Sequence, residues 1–296
     1  MECNGLPSGD LGSLKDLVNW GKALPLSYGG LTEGGIKPLY GTPASWDQYG
    51  KYKMWVEYQG SWRKNSRLTK SDCLLLTKEN IYRLFNGDFR TNGRFYGPAH
   101  QQPSEKAREN LFIDGEETGE RDYAGMLLGL ALNKMGVSYN GDPYYRITGG
   151  DELLKEVYKK VGYRVLCSVD KVGKSGRSTT ARNRAIGSLN QERINKKLKM
   201  PKGLTSDKAI DEFIKAYPEI EPLLFRGKGL ELNFIDSWIM SNVIKRLLSQ
   251  NIFPLTVHDS VIAQKKYLGE VEKVMDEEYE KVMYVWTGQR FKPVIK

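Results

Sequence analysis

Leu247-Leu-Ser-Gln-Asn-Ile-Phe-Pro-Leu-Thr-Val-His-Asp-Ser-Val-Ile-Ala263 holds the end of an amphipathic helix, a turn at Asn251 and two short apolar runs split by His258-Asp259-Ser260. Two runs of β-formers around a polar triplet specify a hairpin whose tip presents an imidazole and a carboxylate. Neither a strand nor a tight turn requires that pair. Cation binding is the usual reason for an aspartate at such a tip.

Working outward, Leu230 to Gln250 reads as a long helix with Ile235, Trp238, Ile239, Ile244, Leu247 and Leu248 along one side, and it feeds the hairpin. After the hairpin, Leu268 to Trp286 is a charged amphipathic helix with Val271, Val274, Met275 and Val282 inward. A second strand-to-helix junction lies earlier. Leu111–Ile113 and Glu116–Arg121 form a hairpin turning at Asp114-Gly115, and its second strand delivers Asp122 just before a helix with Met126, Leu127, Leu130 and Ala131 on its inner side. Asp122 is therefore either a metal ligand on a rigid edge or a helix N-cap.

The rest of the 296-residue chain supplies context. Charged residues at 27% and hydrophobic residues at 40% match a folded soluble protein of one large or two small domains. Lys and Arg exceed Asp and Glu by 45 to 36, a formal charge of +9, which favours a polyanionic partner, nucleic acid before an acidic membrane surface. No apolar run suits a membrane span, the start lacks a signal-peptide core, and Cys3, Cys73 and Cys167 form neither a zinc pattern nor a disulfide framework. A cytoplasmic protein with no membrane partner is expected.

The first 45 or so residues are rich in glycine, with one helix-like piece near 13–24. Tyr49, Tyr52, Trp55, Tyr58 and Trp62 then either stack on bases or pack a small lobe. Thr77-Lys-Glu-Asn80 looks like an N-cap for a helix carrying Ile81, Leu84 and Phe85 and stopped by Asn86-Gly87. In Asp88-Phe-Arg-Thr-Asn-Gly-Arg-Phe-Tyr-Gly97, Arg90 and Arg94 suit a loop-borne fork onto phosphates, or else a solvated turn.

Between Asp142 and about 229 the chain reads as a basic insertion. Lys160 and Arg164 sit four apart on a helix spanning Asp151 to about Ser168, so both cations can reach one anion. Lys171, Lys174, Arg177, Arg182, Arg184, Arg193 and four further lysines face only Asp170 and Glu192 in the next stretch, which suggests a surface that tracks a nucleic-acid backbone. Thr205–Tyr217 is a more acidic helix ending near Pro218.

Two aspartates on neighbouring antiparallel strands, Asp122 and Asp259, could hold a pair of divalent cations for in-line phosphoryl displacement. Mg²⁺ takes few protein carboxylates, so two suffice. The ordered set resembles the superfamily of family A DNA polymerases and single-subunit RNA polymerases of phages and mitochondria. Asp122-Tyr-Ala-Gly-Met-Leu-Leu-Gly-Leu-Ala131 is similar to the first palm motif and Val257-His-Asp-Ser260 to the third, with Ser where the RNA enzymes have it and the DNA enzymes have Glu. Asp88 to Tyr96 resembles the Asp-x-Arg-Gly-Arg-x-Tyr segment of the RNA enzymes, with two residues inserted. Asp114-Gly-Glu-Glu-Thr-Gly119 offers an alternative first motif, and the fingers pattern Arg-x-x-x-Lys is matched only in swapped order by Lys160 and Arg164, without the Tyr-Gly that follows it.

The resemblance implies an α+β polymerase palm, an antiparallel sheet packed on helices, over residues 88–296, with reduced fingers at about 142–229 and a small irregular N-terminal lobe over 1–87. It implies two Mg²⁺ ions, or Mn²⁺, on Asp122 and Asp259, with Asp114 as the alternative ligand. His258 orients the primer end or serves as a buried structural histidine. Lys160, Arg164 and Tyr123 bind the nucleoside triphosphate, and Arg90, Arg94, Tyr96, Lys174, Arg177, Arg182 and Arg184 bind a DNA or RNA template-primer. It implies template-directed DNA or RNA synthesis in the replication or transcription of a phage or mobile element, with an accessory replication or transcription protein as a further expected partner. A palm-derived nucleic-acid-binding factor without synthesis is the alternative from a different class.

Overall fold

A computed structural model describes residues 82–86, 89–96, 101, 108–109, 111–113, 116–173, 178–195 and 197–296. It also describes two short antiparallel pairings, Leu31–Thr32 with Gly35–Ile36 and Met54–Val56 with Leu74–Leu76. The helix-like piece near 13–24, Asp88, Asp114, Lys174 and Arg177 lie outside the described residues.

The decisive hairpin forms as its sequence requires. Strand β5 (Leu255–Val257) turns through His258-Asp259 into β6 (Ser260–Gln264), numbering strands from β1 (Tyr82–Phe85), β2 (Asn92–Tyr96), β3 (Phe112–Ile113) and β4 (Glu116–Asp122). β6 pairs antiparallel with β4, and β4 with β3, giving a four-stranded sheet in the order β5-β6-β4-β3. The architecture is α+β, with antiparallel strands packed on helices.

Alternation along β6 decides which face each residue serves. Val261 and Ala263 join the main core with Val271, Val274 and Met275 of helix α6 (Leu268–Thr287). Ile262 points the other way, into a small second core with Leu111, Ile113 and Leu255. Each fully buried aliphatic side chain of this kind stabilises the fold by about 1.5–3 kcal/mol. Because the register sets Ser260, Ile262 and Gln264 opposite Asp122, Glu120 and Thr118, those carboxylates lie on the face turned away from α6. Arg121, on the opposite face, reaches Glu272 of α6.

The longer helices before α6 among the described residues are α1 (Met126–Lys134), α2 (Glu152–Cys167), α3 (Ala181–Ile194), α4 (Ser206–Ala216) and α5 (Gly229–Ser249). Asp151, Thr180 and Thr205 cap α2, α3 and α4 through side-chain oxygens, as short polar residues do at helix starts. Val157, Val161 and Val165 form the buried stripe of α2, and the apolar residues of α1 and α5 pack in the same core, with Asn233, Asp236, Ser237 and Ser241 of α5 buried among them.

One element differs from its expected form. The stretch read as a helix through Leu84 and Phe85 is instead strand β1, paired with β2 through a bulge at Leu84/Phe85. Tertiary contacts outweigh the local propensity: the Arg83 guanidinium lies over Phe85 and Phe95, and it donates to the Gly93 carbonyl at 2.7 Å and to Ser237 of α5 at 2.7 Å. Arg94, expected on a loop, therefore sits within a strand that is packed on α5.

Candidate active site

Asp122 ends β4, and the β4–β6 register places Ser260 directly opposite it. Asp259, one residue earlier at the hairpin tip, is thereby carried next to the Asp122 carboxylate. Burial, with Asp259 adding like-charge repulsion, pushes Asp122 up to about 7, against the pull of Lys296 and Lys159. Asp122 is not a helix cap, because Gly125 occupies that position before α1.

The two-residue loop needs a left-handed residue, and His258 supplies it at φ 56, a conformation that costs an L-residue about 1–2 kcal/mol. His258 stands edge-on to the Tyr96 ring, with centroids 5.7 Å apart. Burial, reinforced by Arg94, lowers its pKa, so the imidazole is neutral at pH 7. Its buried Nδ1 has no hydrogen-bond partner among the described residues.

Arg94 comes from the neighbouring hairpin and forms a 2.6 Å ion pair with Asp236 of α5, which is only 1% exposed. Burial alone would depress the guanidinium, but Asp236 and Asp259 together hold its pKa raised. Burial pushes Asp236 up to about 6 while Arg94 pulls it back, so the pair is ionic at neutral pH. The second carboxylate oxygen of Asp236 has no partner among the described residues. A further network lies beside Asp122 on the same sheet face. Arg108 grips both oxygens of Glu120, and the Ser260 hydroxyl donates to the same carboxylate.

The structure thus brings together Asp122, His258, Asp259, Arg94 and Tyr96. Other expected site residues are placed elsewhere. Tyr123 is 2% exposed and donates its hydroxyl to the Met275 carbonyl at 2.7 Å, so it is a core residue with no surface to offer a nucleotide. Lys160 and Arg164 both bind Glu192 of α3, Arg182 bridges to Asp207 and Asp211 of α4, and Arg184 holds the Val169 carbonyl at 2.6 Å. Those cations brace the inserted helices against one another. Arg90 is exposed on the turn before β2.

Three residues were not anticipated. Lys159 acts on Asp122 from α2, on the flank of that helix's buried stripe opposite to Lys160 and Arg164. Asp236 and Lys296 carried no motif. Only the burial of an aspartate inside an apolar helix face, Ile235-Asp236 followed by Ile239, hinted at a fixed cationic partner.

Among the described residues, no cluster of three or more His, Cys, Asp or Glu side chains gathers to hold a metal. Protein ligation would rest on Asp122 and Asp259. An all-oxygen pair of half-buried carboxylates, one raising the pKa of the other, fits Mg²⁺, whose shell is completed by water and phosphate oxygens. No protein-family model matches the chain, and no curated protein matches it.

Proposed function

We propose that the chain is a template-directed nucleotidyltransferase built on a polymerase palm, extending a nucleic-acid strand from nucleoside triphosphates. The observation that carries this reading is the juxtaposition of Asp122 and Asp259 across the β4–β6 register, with Asp122 pushed up to about 7. Two carboxylates held this close cost stability in the empty protein, and a divalent ion is what relieves their repulsion.

When bound, two Mg²⁺ ions would activate the 3′-hydroxyl and stabilise charge on the transferring phosphorus. Asp122 and Asp259 would hold them. Lys159 of α2 is near enough to lower the Asp122 pKa and would meet the polyphosphate. Arg94, fixed by Asp236, keeps its positive charge beside Asp259 and contacts the strand backbone. His258, neutral and wedged against Tyr96, orients the primer end by hydrogen bonding rather than by charge.

The test is primer extension and primer-free synthesis with Mg²⁺, comparing NTPs with dNTPs on DNA and RNA templates. Wild type incorporates nucleotides, and Asp122→Ala and Asp259→Ala do not. Nucleic-acid binding without incorporation under every condition would overturn synthesis in favour of a binding factor. A dead Asp114→Ala beside an active Asp122→Ala would move the metal site.

A further inference from the structure

Lys296 lies against the candidate metal site, although no motif includes it. The segment leading to it is pinned along its length. Arg290 pairs with Glu280 at 2.7 Å, Lys292 pairs with Asp276 at 2.5 Å and Glu280 at 2.9 Å, and Phe291 is buried in the main core. The chain then runs antiparallel to the end of β4. Ala124 donates to the Val294 carbonyl at 2.7 Å, Tyr123 bridges Ile295, and Asp122 and Lys296 exchange backbone hydrogen bonds of 3.0 Å in both directions. Backbone pairing of this kind fixes Lys296 beside Asp122 whatever its side chain does.

The side chain then points its charge at the same residue. Lys296 Nζ lies 3.8 Å from Asp122 Oδ2, too far for a hydrogen bond and close enough for an ion pair. Half of the lysine side chain is exposed, so the ammonium can swing away while the backbone pairing stays. It also acts on Asp142, which is already paired with Lys155 at 2.9 Å.

We infer that Lys296 is a resident counter-ion of the metal site: its ammonium neutralises Asp122 until a divalent ion displaces it. The inference rests on the two-carboxylate reading above. A cation on the same carboxylate as the ammonium is repelled by it, so each weakens the other's hold and a bound divalent ion favours the ammonium swinging away. At 3.8 Å the attraction to be overcome, even in the dielectric of water, corresponds to about a fivefold change in affinity, and more if the pair is partly desolvated.

The experiment is titration of the full chain with Mn²⁺ alone, following free Mn²⁺ by electron paramagnetic resonance at about pH 8.5. Lys296→Met is expected to bind Mn²⁺ about fivefold or more tightly than wild type. Lys296→Arg, which keeps the charge, stays close to wild type, and Asp122→Asn loses the site in either background. Unchanged or weaker Mn²⁺ binding by Lys296→Met overturns the inference while Asp122→Asn still vouches for the metal site. Mn²⁺ binding that survives Asp122→Asn overturns the two-carboxylate reading and this inference with it. The expected pattern without any nucleotide incorporation would support the counter-ion and count against synthesis alone.

Discussion

Ser260 faces Asp122 across the β4–β6 ladder, yet its hydroxyl donates to Glu120, two residues back on β4. That diversion leaves the Asp122 carboxylate without a hydroxyl donor from β6. Lys296 and Lys159 are the positive charges that pull its pKa down, and Asp259 is the carboxylate that raises it most. The repulsion at this site is therefore built into the register of the sheet.

The first prediction concerns pH. The folded pKa of Asp122, about 7, lies above the unfolded value of 3.8. The folded state thus holds a proton that the unfolded state releases, and this contribution is fully present below pH 3.8 and lost as pH rises through 7. Asp236, raised to about 6, acts in the same direction. Across this window the Tm of the metal-free wild type is expected to fall relative to that of Asp122→Asn, because Glu117, Asp142, Glu192, Glu219 and Glu280, all held below the usual carboxylate range, pull both proteins the other way. Asp122→Asn should reduce the slope and raise stability at pH 8 by on the order of 1–2 kcal/mol, discounted for partial exposure. Adding Mg²⁺ at pH 8 should raise the Tm of wild type and not of Asp122→Asn. A wild-type Tm profile that parallels that of Asp122→Asn from pH 4 to 8 would contradict the assignment.

The second concerns the pair behind the site. Arg94→Met strands the Asp236 carboxylate in the core and is expected to cost about 3–5 kcal/mol in urea unfolding. Arg94→Met with Asp236→Leu removes both charges and should recover a large part of that loss. If the double variant is no more stable than Arg94→Met, the pair is not what holds β2 on α5.

The hairpin tip and the long helices were legible in the sequence because apolar periodicity and turn chemistry are local. Leu255–Val257 and Ser260–Gln264, α5 and α6 lie where the pattern puts them. The β1 strand was not, because Arg83 is held there by Phe95 and Ser237, partners that no local window contains. The same reason explains the cations of α2. Spacing made Lys160 and Arg164 one face, but the negative residue that answers them, Glu192, comes from another helix. Asp122 and Asp259 could be paired from sequence since one ends a strand and the other sits at a hairpin tip, whereas Lys296 is brought to Asp122 by tertiary folding alone.

The third prediction tests the strained tip. Replacing His258 by glycine relieves the left-handed backbone and loses the Tyr96 ring contact, while alanine loses the contact and keeps the strain. His258→Gly should therefore be more stable than His258→Ala by about 1 kcal/mol in chemical denaturation. Both should lose primer extension if the imidazole orients the primer end. Equal stabilities would show that the loop relaxes to another turn.

The last prediction separates neighbouring lysines on α2. Lys159 and Lys160 are adjacent in sequence but lie on opposite flanks of the buried stripe formed by Val157, Val161 and Val165. Lys160 is 3.6 Å from Glu192, a carboxylate shared with Arg164, so its charge is largely answered within the protein. Lys159 has a local partner in Glu156 at 3.6 Å, an exposed i,i+3 pair that is readily exchanged for a better anion, and it also acts on Asp122. In the proposed reading Lys159 would bind a phosphate of the nucleotide through a charge-assisted hydrogen bond, about twice as strong as a neutral one. Lys159→Gln should raise the KM for nucleoside triphosphate about tenfold, the loss of one charge-assisted contact, and Lys160→Gln should change it less than about twofold. Thermal melts would register the reverse order, since only Lys160→Gln removes a contact between α2 and α3. A larger KM effect from Lys160→Gln would turn α2 around and return the triphosphate to the face bearing Arg164.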